Sequence, residues 1–179
     1  MPSYVAFLRG INVSGQKIIK MTELCHMFED MGFKKVKTYI QTGNVLFDAS
    51  SSNAKTLTAK IEKDLQKQLG YQVTVVLRTI PEIETILANN PFKKAKLKDN
   101  ERIYITLLAG IPTPAALAEL GKIQSDVDTL MVQNSEVYIL CRGGYGESVF
   151  SNNLVEKKLQ LSATTRNLNT MVKVTQVER

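Results

Sequence analysis

Hydrophobic residues between positions 3 and 9 fill both phases of a two-residue alternation, with Val5 and Phe7 in one row and Tyr4, Ala6 and Leu8 in the other. Apolar side chains in both rows predict a strand shielded on both faces, hence a central one. Past Gly10 the chain turns polar through Asn12, Ser14, Gly15, Gln16 and Lys17. The period then becomes helical: Met21, Leu24, Phe28 and Met31 form a stripe, Cys25 flanks it, and Gly32 supplies the stop. Residues 35–48 read as two strands joined by Gln41-Thr42-Gly43, where Gly43 is free to take positive φ. A Ser50–Asn53 loop ends in a helix cap, and Leu57, Ile61, Leu65 and Leu69 mark one helix face closed by Gly70. Val73, Val75 and Leu77 supply a last strand. The order β-α-β-β-α-β is that of a ferredoxin-like α-β plait.

The pattern then recurs. Thr79 and Glu82 make a capping box around Pro81, starting a short helix that Pro91 ends. Residues 92–102 are the most basic stretch, with Lys93, Lys94, Lys96, Lys98 and Arg102 against Asp99 and Glu101, and the boundary between halves is placed there. Ile103–Leu108 reads as a strand, and Thr113-Pro114 as a cap and first helical residue before Ala116, Leu117 and Leu120. Strands at 128–133 and 136–141 hinge at Asn134-Ser135, and a helix follows from a cap at Asn153. Residues 168–177 fit a helix capped by Asn167 or the missing fourth strand, and the helix is preferred. The expected architecture is an α+β tandem pair of ferredoxin-like subdomains, antiparallel sheets with helices on one face. Residues 1–80 form the first plait, 81–100 a helix and basic linker, and 101–179 a second plait of order βαββα plus a C-terminal element.

Composition adds limits. Across 179 residues, 44% apolar and 22% charged, disorder is excluded as the main state. No apolar run approaches the roughly 18–20 residues that span a bilayer. Arg9 interrupts the apolar N-terminal stretch and no basic leader precedes it, so no secretory signal is expected. Two cysteines and one histidine exclude a disulfide framework and a zinc ribbon, and make a reducing cytoplasm the default. The 23 Lys plus Arg against 17 Asp plus Glu leave +6, which favours anionic partners without specifying one.

Three motifs resemble a bacterial domain-of-unknown-function family, number sixteen-ninety-seven. They are Leu8-Arg9-Gly10-Ile11-Asn12-Val13, Tyr39-Ile40-Gln41-Thr42-Gly43-Asn44-Val45, and Thr164-Thr165-Arg166-Asn167 with Asn169-Thr170. Ser14 stands where the family often has a second glycine, and Leu168 where it often has tryptophan. The resemblance covers nearly the whole chain. It implies two α-β plait subdomains in tandem and carries no activity or catalytic residue with it.

Candidate chemistry is thin. Cys25 and His26 are helix neighbours that point apart, so no nucleophilic pair is expected. No ligand spacing for a metal exists, and neither metal nor cofactor is expected. Gly143-Gly144-Tyr145-Gly146 lacks the ending of a P-loop and the order of a dinucleotide site, and reads as a turn. An RNA-recognition sheet needs aromatics on the open faces of the first and third strands. With Val5 and Phe7 turned towards the helices beside Val45 and Phe47, that face would hold Tyr4 with Asn44, Leu46 and Asp48, and the requirement fails.

A polar constellation at loop ends is the best candidate: Arg9, Asn12 and Lys17 after the first strand, Gln41, Thr42 and Asn44 at the hairpin, and Arg166 and Asn167 near the C-terminus. A guanidinium with amide donors suits a phosphate or carboxylate, and the same residues serve equally as loop braces. The first reading is therefore a binding module for an anionic ligand, a nucleotide or nucleic-acid phosphate. The second is an enzyme on a small phosphorylated or carboxylated substrate, with Tyr39 or Tyr145 as acid or base. The third is an interaction protein that pairs an edge strand or forms a homo-oligomer. No membrane partner is expected.

Overall fold

The computed structural model describes residues 1–178, an α+β chain of two four-stranded antiparallel sheets and six α-helices, an arrangement consistent with two repeated subdomains. The chain divides into two compact units, one of Met1–Thr85 with the segment from Lys173 onward, the other of Ile86–Val172. The two boundaries each fall inside a helix, the first of them upstream of the basic stretch where sequence composition placed it.

The first unit runs β1 (Ser3–Leu8), α1 (Met21–Asp30), β2 (Lys34–Tyr39), β3 (Asn44–Asp48), α2 (Ala54–Leu69) and β4 (Val75–Thr79), with α3 (Ile80–Ala88) following. Its strand order is β2-β3-β1-β4. The helix signals act as expected: Asn53 accepts from the Thr56 N–H at 3.0 Å, and Gly70 closes α2 at φ +79°. Thr79 and Glu82 form the reciprocal capping box of α3, Glu82 taking the Thr79 N–H at 2.6 Å.

Which row of β1 meets the helices differs from expectation. Tyr4 pairs with Phe47 and Ala6 with Val45, and these four join Leu8 and residues of α1 and α2, including Leu24, Phe28, Ile61 and Leu65, in one core. Phe47 is its centre, with ring centroids at 4.4 Å from Phe33, 5.4 Å from Phe28 and 5.7 Å from Tyr4. Each such pair contributes about 0.5–1.5 kcal/mol beyond area burial. Val5 and Phe7 therefore occupy the opposite face with Leu46 and Asn44, and all four are 0% exposed. Alternation identified the strand, but two apolar rows carry no mark of which one the helices cover. The RNA-recognition reading fails on other grounds than expected: Phe7 does lie on the face away from the helices, but its ring is buried.

The second unit runs β5 (Arg102–Leu108), α4 (Pro114–Gly121), β6 (Thr129–Gln133), β7 (Glu136–Cys141), a single 3₁₀ turn at Tyr145–Glu147, α5 (Asn152–Leu159), β8 (Ala163–Asn167) and α6 (Leu168–Thr175), in strand order β6-β7-β5-β8. Residues Leu168–Thr175 are helical, and the fourth strand lies just upstream at β8. The cap of α5 is Ser151, which accepts from Leu154 N–H at 3.2 Å, rather than Asn153.

Corresponding groups in the two units do the same work. The Leu8 N–H donates to Gly43 and the Leu108 N–H to Ser135, both at 2.9 Å. On the outer edge of β4, the Glu62 carboxylate accepts the Val75 N–H at 2.8 Å and Arg78 donates to the Leu77 carbonyl at 2.9 Å. On the outer edge of β8, Glu156 accepts from Ala163 at 3.3 Å and Arg166 donates to the Thr165 carbonyl at 3.0 Å. Side chains thus occupy backbone groups that another strand would need. At the far edge of the first sheet, β2 carries exposed Lys34, Lys35 and Lys37 and an irregular register between Lys34 and Lys37. These are standard defences against strand addition, and they weigh against the edge-pairing reading at those three edges.

Candidate functional site

Twelve residues, Arg9–Lys20, separate β1 from α1, whereas five, Ala109–Thr113, separate β5 from α4. The longer connection is built, not slack. The Val13 and Gln16 backbones bridge, with the Gln16 N–H on the Val13 carbonyl at 3.0 Å, and Ser14 and Gly15 between them take φ +51° and +70°. Two left-handed residues make the tight turn that matches strand twist.

Asn12 anchors this small hairpin. Its Nδ2 donates to the Ile19 carbonyl at 3.0 Å and to the Gln41 carbonyl at 2.8 Å, and its Oδ1 accepts the Ile19 N–H at 2.8 Å. Asn44, buried at the start of β3, donates from Nδ2 to the Tyr39 carbonyl and the Thr42 hydroxyl, each at 2.9 Å. An amide NH₂ has two hydrogens, and both residues commit both. Asn12 and Asn44 are braces that fix the two loops, and they have no donor left for an anion.

The cations differ. Lys17 holds its ammonium 5.2 Å from the centroid of the Tyr71 ring. Arg9 is half-buried, and its N–H donates to the Thr74 carbonyl at 2.9 Å. The second unit repeats the local sequence as Leu108-Ala109-Gly110-Ile111, and there the Ala109 N–H makes the same bond, to Ser162, at 2.8 Å. The shared scaffold is satisfied with a methyl group at this position, so the guanidinium of Arg9 is an addition to it. No carboxylate occurs in residues 1–22, the segment that carries Arg9, Lys17 and Lys20. Thr74 also lines an open groove of about 320 Å³ between α2 and the approach to β4, whose polar walls include Lys63, Gln66 and Gln72.

Strain concentrates at the same end. Asn12, Ser14, Lys17 and Ile40 all adopt φ near +50°. For β-branched Ile40 this is a costly conformation, of the kind that persists where surrounding structure enforces it.

Arg166 and Asn167 belong to the other unit and do not act as a pair. Successive residues of β8, they point to opposite faces of the strand. Arg166 is buried, its guanidinium bonded to the Thr164 hydroxyl at 2.7 Å, and its pKa is pushed down to about 10 by burial. Asn167 caps α6 by accepting the Asn169 N–H at 2.8 Å. Sequence reasoning overlooked Arg78, Glu62 and Glu156, which perform the matching structural work.

Other candidates resolve plainly. His26 is exposed, 3.1 Å from Glu29, and Cys25 points its sulfur towards the Thr38 hydroxyl, so the two do not meet. Tyr145 stacks 4.5 Å from Tyr104, and burial raises its pKa, which keeps the hydroxyl protonated and unsuited to act as a base. Its oxygen is screened from solvent and lies beside Thr165 without a well-formed hydrogen bond. Among the described residues no cluster of three or more His, Cys, Asp or Glu is placed to hold a metal, and no helix is long and apolar enough to cross a membrane. The free thiols differ in access: Cys25 is half-buried, and Cys141 is 0% exposed with its pKa pushed up to about 11 by burial. A thiol reagent at neutral pH is expected to label Cys25 and to spare Cys141 until the protein unfolds, which peptide mass spectrometry checks.

A family model described as Protein of unknown function (DUF1697) matches residues 1–138. Among solved structures, the conserved bacterial protein SP0830 from Streptococcus pneumoniae is similar at a TM-score of 0.78 and 21% identity, over 98% of this chain and 97% of that one. That likeness concerns the fold. Among curated proteins nothing matches the chain.

Proposed function

The chain belongs to the DUF1697 family, and we propose that this member is a binding module for an anionic ligand, a nucleotide or nucleic-acid phosphate, held at the β1–α1 loop of the first unit. A guanidinium such as that of Arg9 suits the paired oxygens of a phosphate, and Lys17 adds a point charge. Asn12 and Asn44 keep the loop and the 40–43 hairpin in register. One observation carries this reading: Arg9 stands where the other unit makes the identical backbone bond with Ala109.

Each unit is read as a ferredoxin-like plait. The support is an order of β2-β3-β1-β4 and β6-β7-β5-β8, with a helix after the first and third strand of each. A reducing cytoplasm suits two unpaired cysteines.

Titration with a nucleoside triphosphate and with a single-stranded oligonucleotide at low salt tests the proposal. Arg9→Ala is expected to weaken binding about ten- to a hundredfold, the worth of a charge-assisted bidentate contact. A melting curve of Arg9→Ala separates a loss of binding from a loss of fold. Arg9→Lys should recover only part of the loss. Flat wild-type titrations, or equal affinity in Arg9→Ala, would remove the proposal.

A further inference from the structure

The ends of the basic stretch 92–102 are locked. Asn90 accepts the Phe92 N–H at 3.0 Å through its side chain and the Lys93 N–H at 3.2 Å through its carbonyl. At the other end Lys98 and Glu101 exchange two bonds, the Lys98 N–H donating to the Glu101 carboxylate at 2.9 Å and the Glu101 N–H to the Lys98 carbonyl at 3.0 Å. Asn100 Nδ2 then donates to the Arg142 carbonyl at 3.1 Å, and Arg142 Nε lies 3.8 Å from Glu101. The lysine segment is thereby fastened to the start of the Gly143–Gly146 loop, so the two motifs that sequence reading held apart stand together.

The arginines here serve the scaffold. Arg102 donates to the Asp99 and Glu101 carbonyls at 2.6 and 2.7 Å, and Arg142 to the Val127 carbonyl and the Thr129 hydroxyl at 2.7 and 3.0 Å. Glu101 is 8% exposed and spent on Lys98 and Arg142. Lys93, Lys94, Lys96 and Lys98 remain, all exposed, and among the described residues none is ion-paired. Four like charges in six residues on a braced segment repel one another, and a polyanion relieves that repulsion.

We infer that this face, Lys93 to Lys98 beside the Gly143–Gly146 loop, is a second anion-binding surface, which contacts the phosphate backbone of a nucleic acid without regard to sequence. Strongly hydrated ammonium groups make point contacts to phosphates, whereas base readout needs planar donors, and the two arginines turn their Nη1 groups to oxygens of the scaffold. An anionic bilayer fits less well, because within the segment the apolar residues are half-buried Phe92, Ala95 and a single partly exposed Leu97.

Fluorescence anisotropy with a labelled oligothymidylate of about twenty nucleotides and a mixed-sequence duplex, between about 50 and 200 mM sodium chloride, tests this. For the single strand, four lysine contacts contribute about −3 to the slope of log affinity against log salt, and for the duplex somewhat more. The variant K93Q/K94Q/K96Q/K98Q is expected to lose that contribution, binding at least about tenfold more weakly at the lowest salt, with an unchanged melting curve. Lys94→Glu with Lys96→Glu, which leaves the turn residues alone, should weaken binding in the same direction. An unchanged slope in the quadruple variant, no wild-type binding to either probe, or retention by phosphatidylglycerol vesicles in place of oligonucleotides overturns the inference. The Arg9 site fails or stands separately: if Arg9→Ala abolishes binding and the lysine variants do not alter it, the first reading holds and this one falls.

Discussion

Replacing Gly43 by alanine is expected to cost about 3 kcal/mol of folding stability and to loosen the candidate site with it. Gly43 sits at φ +80°, and a Cβ there would lie 3.0 Å from Leu8 Cβ and 3.4 Å from Ile11 Cβ. The left-handed conformation alone penalises alanine by about 1–2 kcal/mol, and the overpacking adds about 1–3 kcal/mol. Relief by movement is blocked from both directions. Leu8 and Ile11 are 0% and 1% exposed, and the Gly43 carbonyl already holds the Leu8 N–H at 2.9 Å. Gly32 provides the control, because it has φ +89° but nothing within 4 Å of an added Cβ. Gly32→Ala should therefore show only the smaller conformational cost. Urea unfolding of the two variants separates the contributions, and equal losses would mean that the close approach to Leu8 does not constrain the hairpin. Because Asn12 reaches from its own loop to the Gln41 carbonyl, any shift of the hairpin also displaces the loop that carries Arg9 and Lys17.

The limits of the sequence reading follow from the same local physics. Helix ends were legible where one residue decides them, as at Gly70, Thr79 with Glu82, and Thr113, whose side chain accepts the Ala116 N–H. Strand existence was legible from alternation, but the face of β1 turned to the helices was not, since both rows are apolar and only the Tyr4–Phe47 pairing distinguishes them. β8 was hidden because Ala163-Thr164-Thr165-Arg166-Asn167 holds no apolar alternation. It is held by pairing to β5 and by Glu156, Asn152 and Arg166, partners distant or polar enough to leave no periodic trace. In the site, Arg9 and Lys17 stood out as charges in a polar loop. That Asn12 and Asn44 spend their amide hydrogens on carbonyls becomes apparent only when the two loops are adjacent in space. The comparison that gives Arg9 its weight, Leu8-Arg9-Gly10-Ile11 against Leu108-Ala109-Gly110-Ile111, was readable from the start. It acquires meaning only with the matching backbone bonds.

At high pH two buried groups of β7 are expected to withdraw their contributions to the stability of the second unit in overlapping steps. Burial is the main cause that pushes the Cys141 thiol up to about 11 and the Tyr138 hydroxyl up to about 12. Each group is neutral when protonated and is 0% or 1% exposed, and the unfolded chain releases its proton first, near 9 for the thiol and 10 for the phenol. A folded pKa above the unfolded one gives a contribution that is complete below the unfolded value and disappears as pH rises through the folded value. The thiol contribution is therefore intact to about pH 9 and gone near 11, and the phenol contribution intact to about 10 and gone near 12. At about 1.4 kcal/mol per unit, these two groups withdraw on the order of 5 kcal/mol, which the buried Arg166, with its pKa pushed down to about 10, partly offsets at the upper end. Cys141→Ala should flatten the profile between pH 9 and 11 while leaving the later fall. Tyr138→Phe should reduce the later fall, which Tyr145 shares because burial raises its pKa too, and cost about 1–2 kcal/mol at every pH, because the Ile86 carbonyl loses the donor it holds at 2.9 Å. Denaturant midpoints followed from pH 7 to 12 test this, with tyrosinate absorbance as the second reading. A decline that begins at pH 9 unaltered in Cys141→Ala would show that the thiol is not the group whose burial controls the first step.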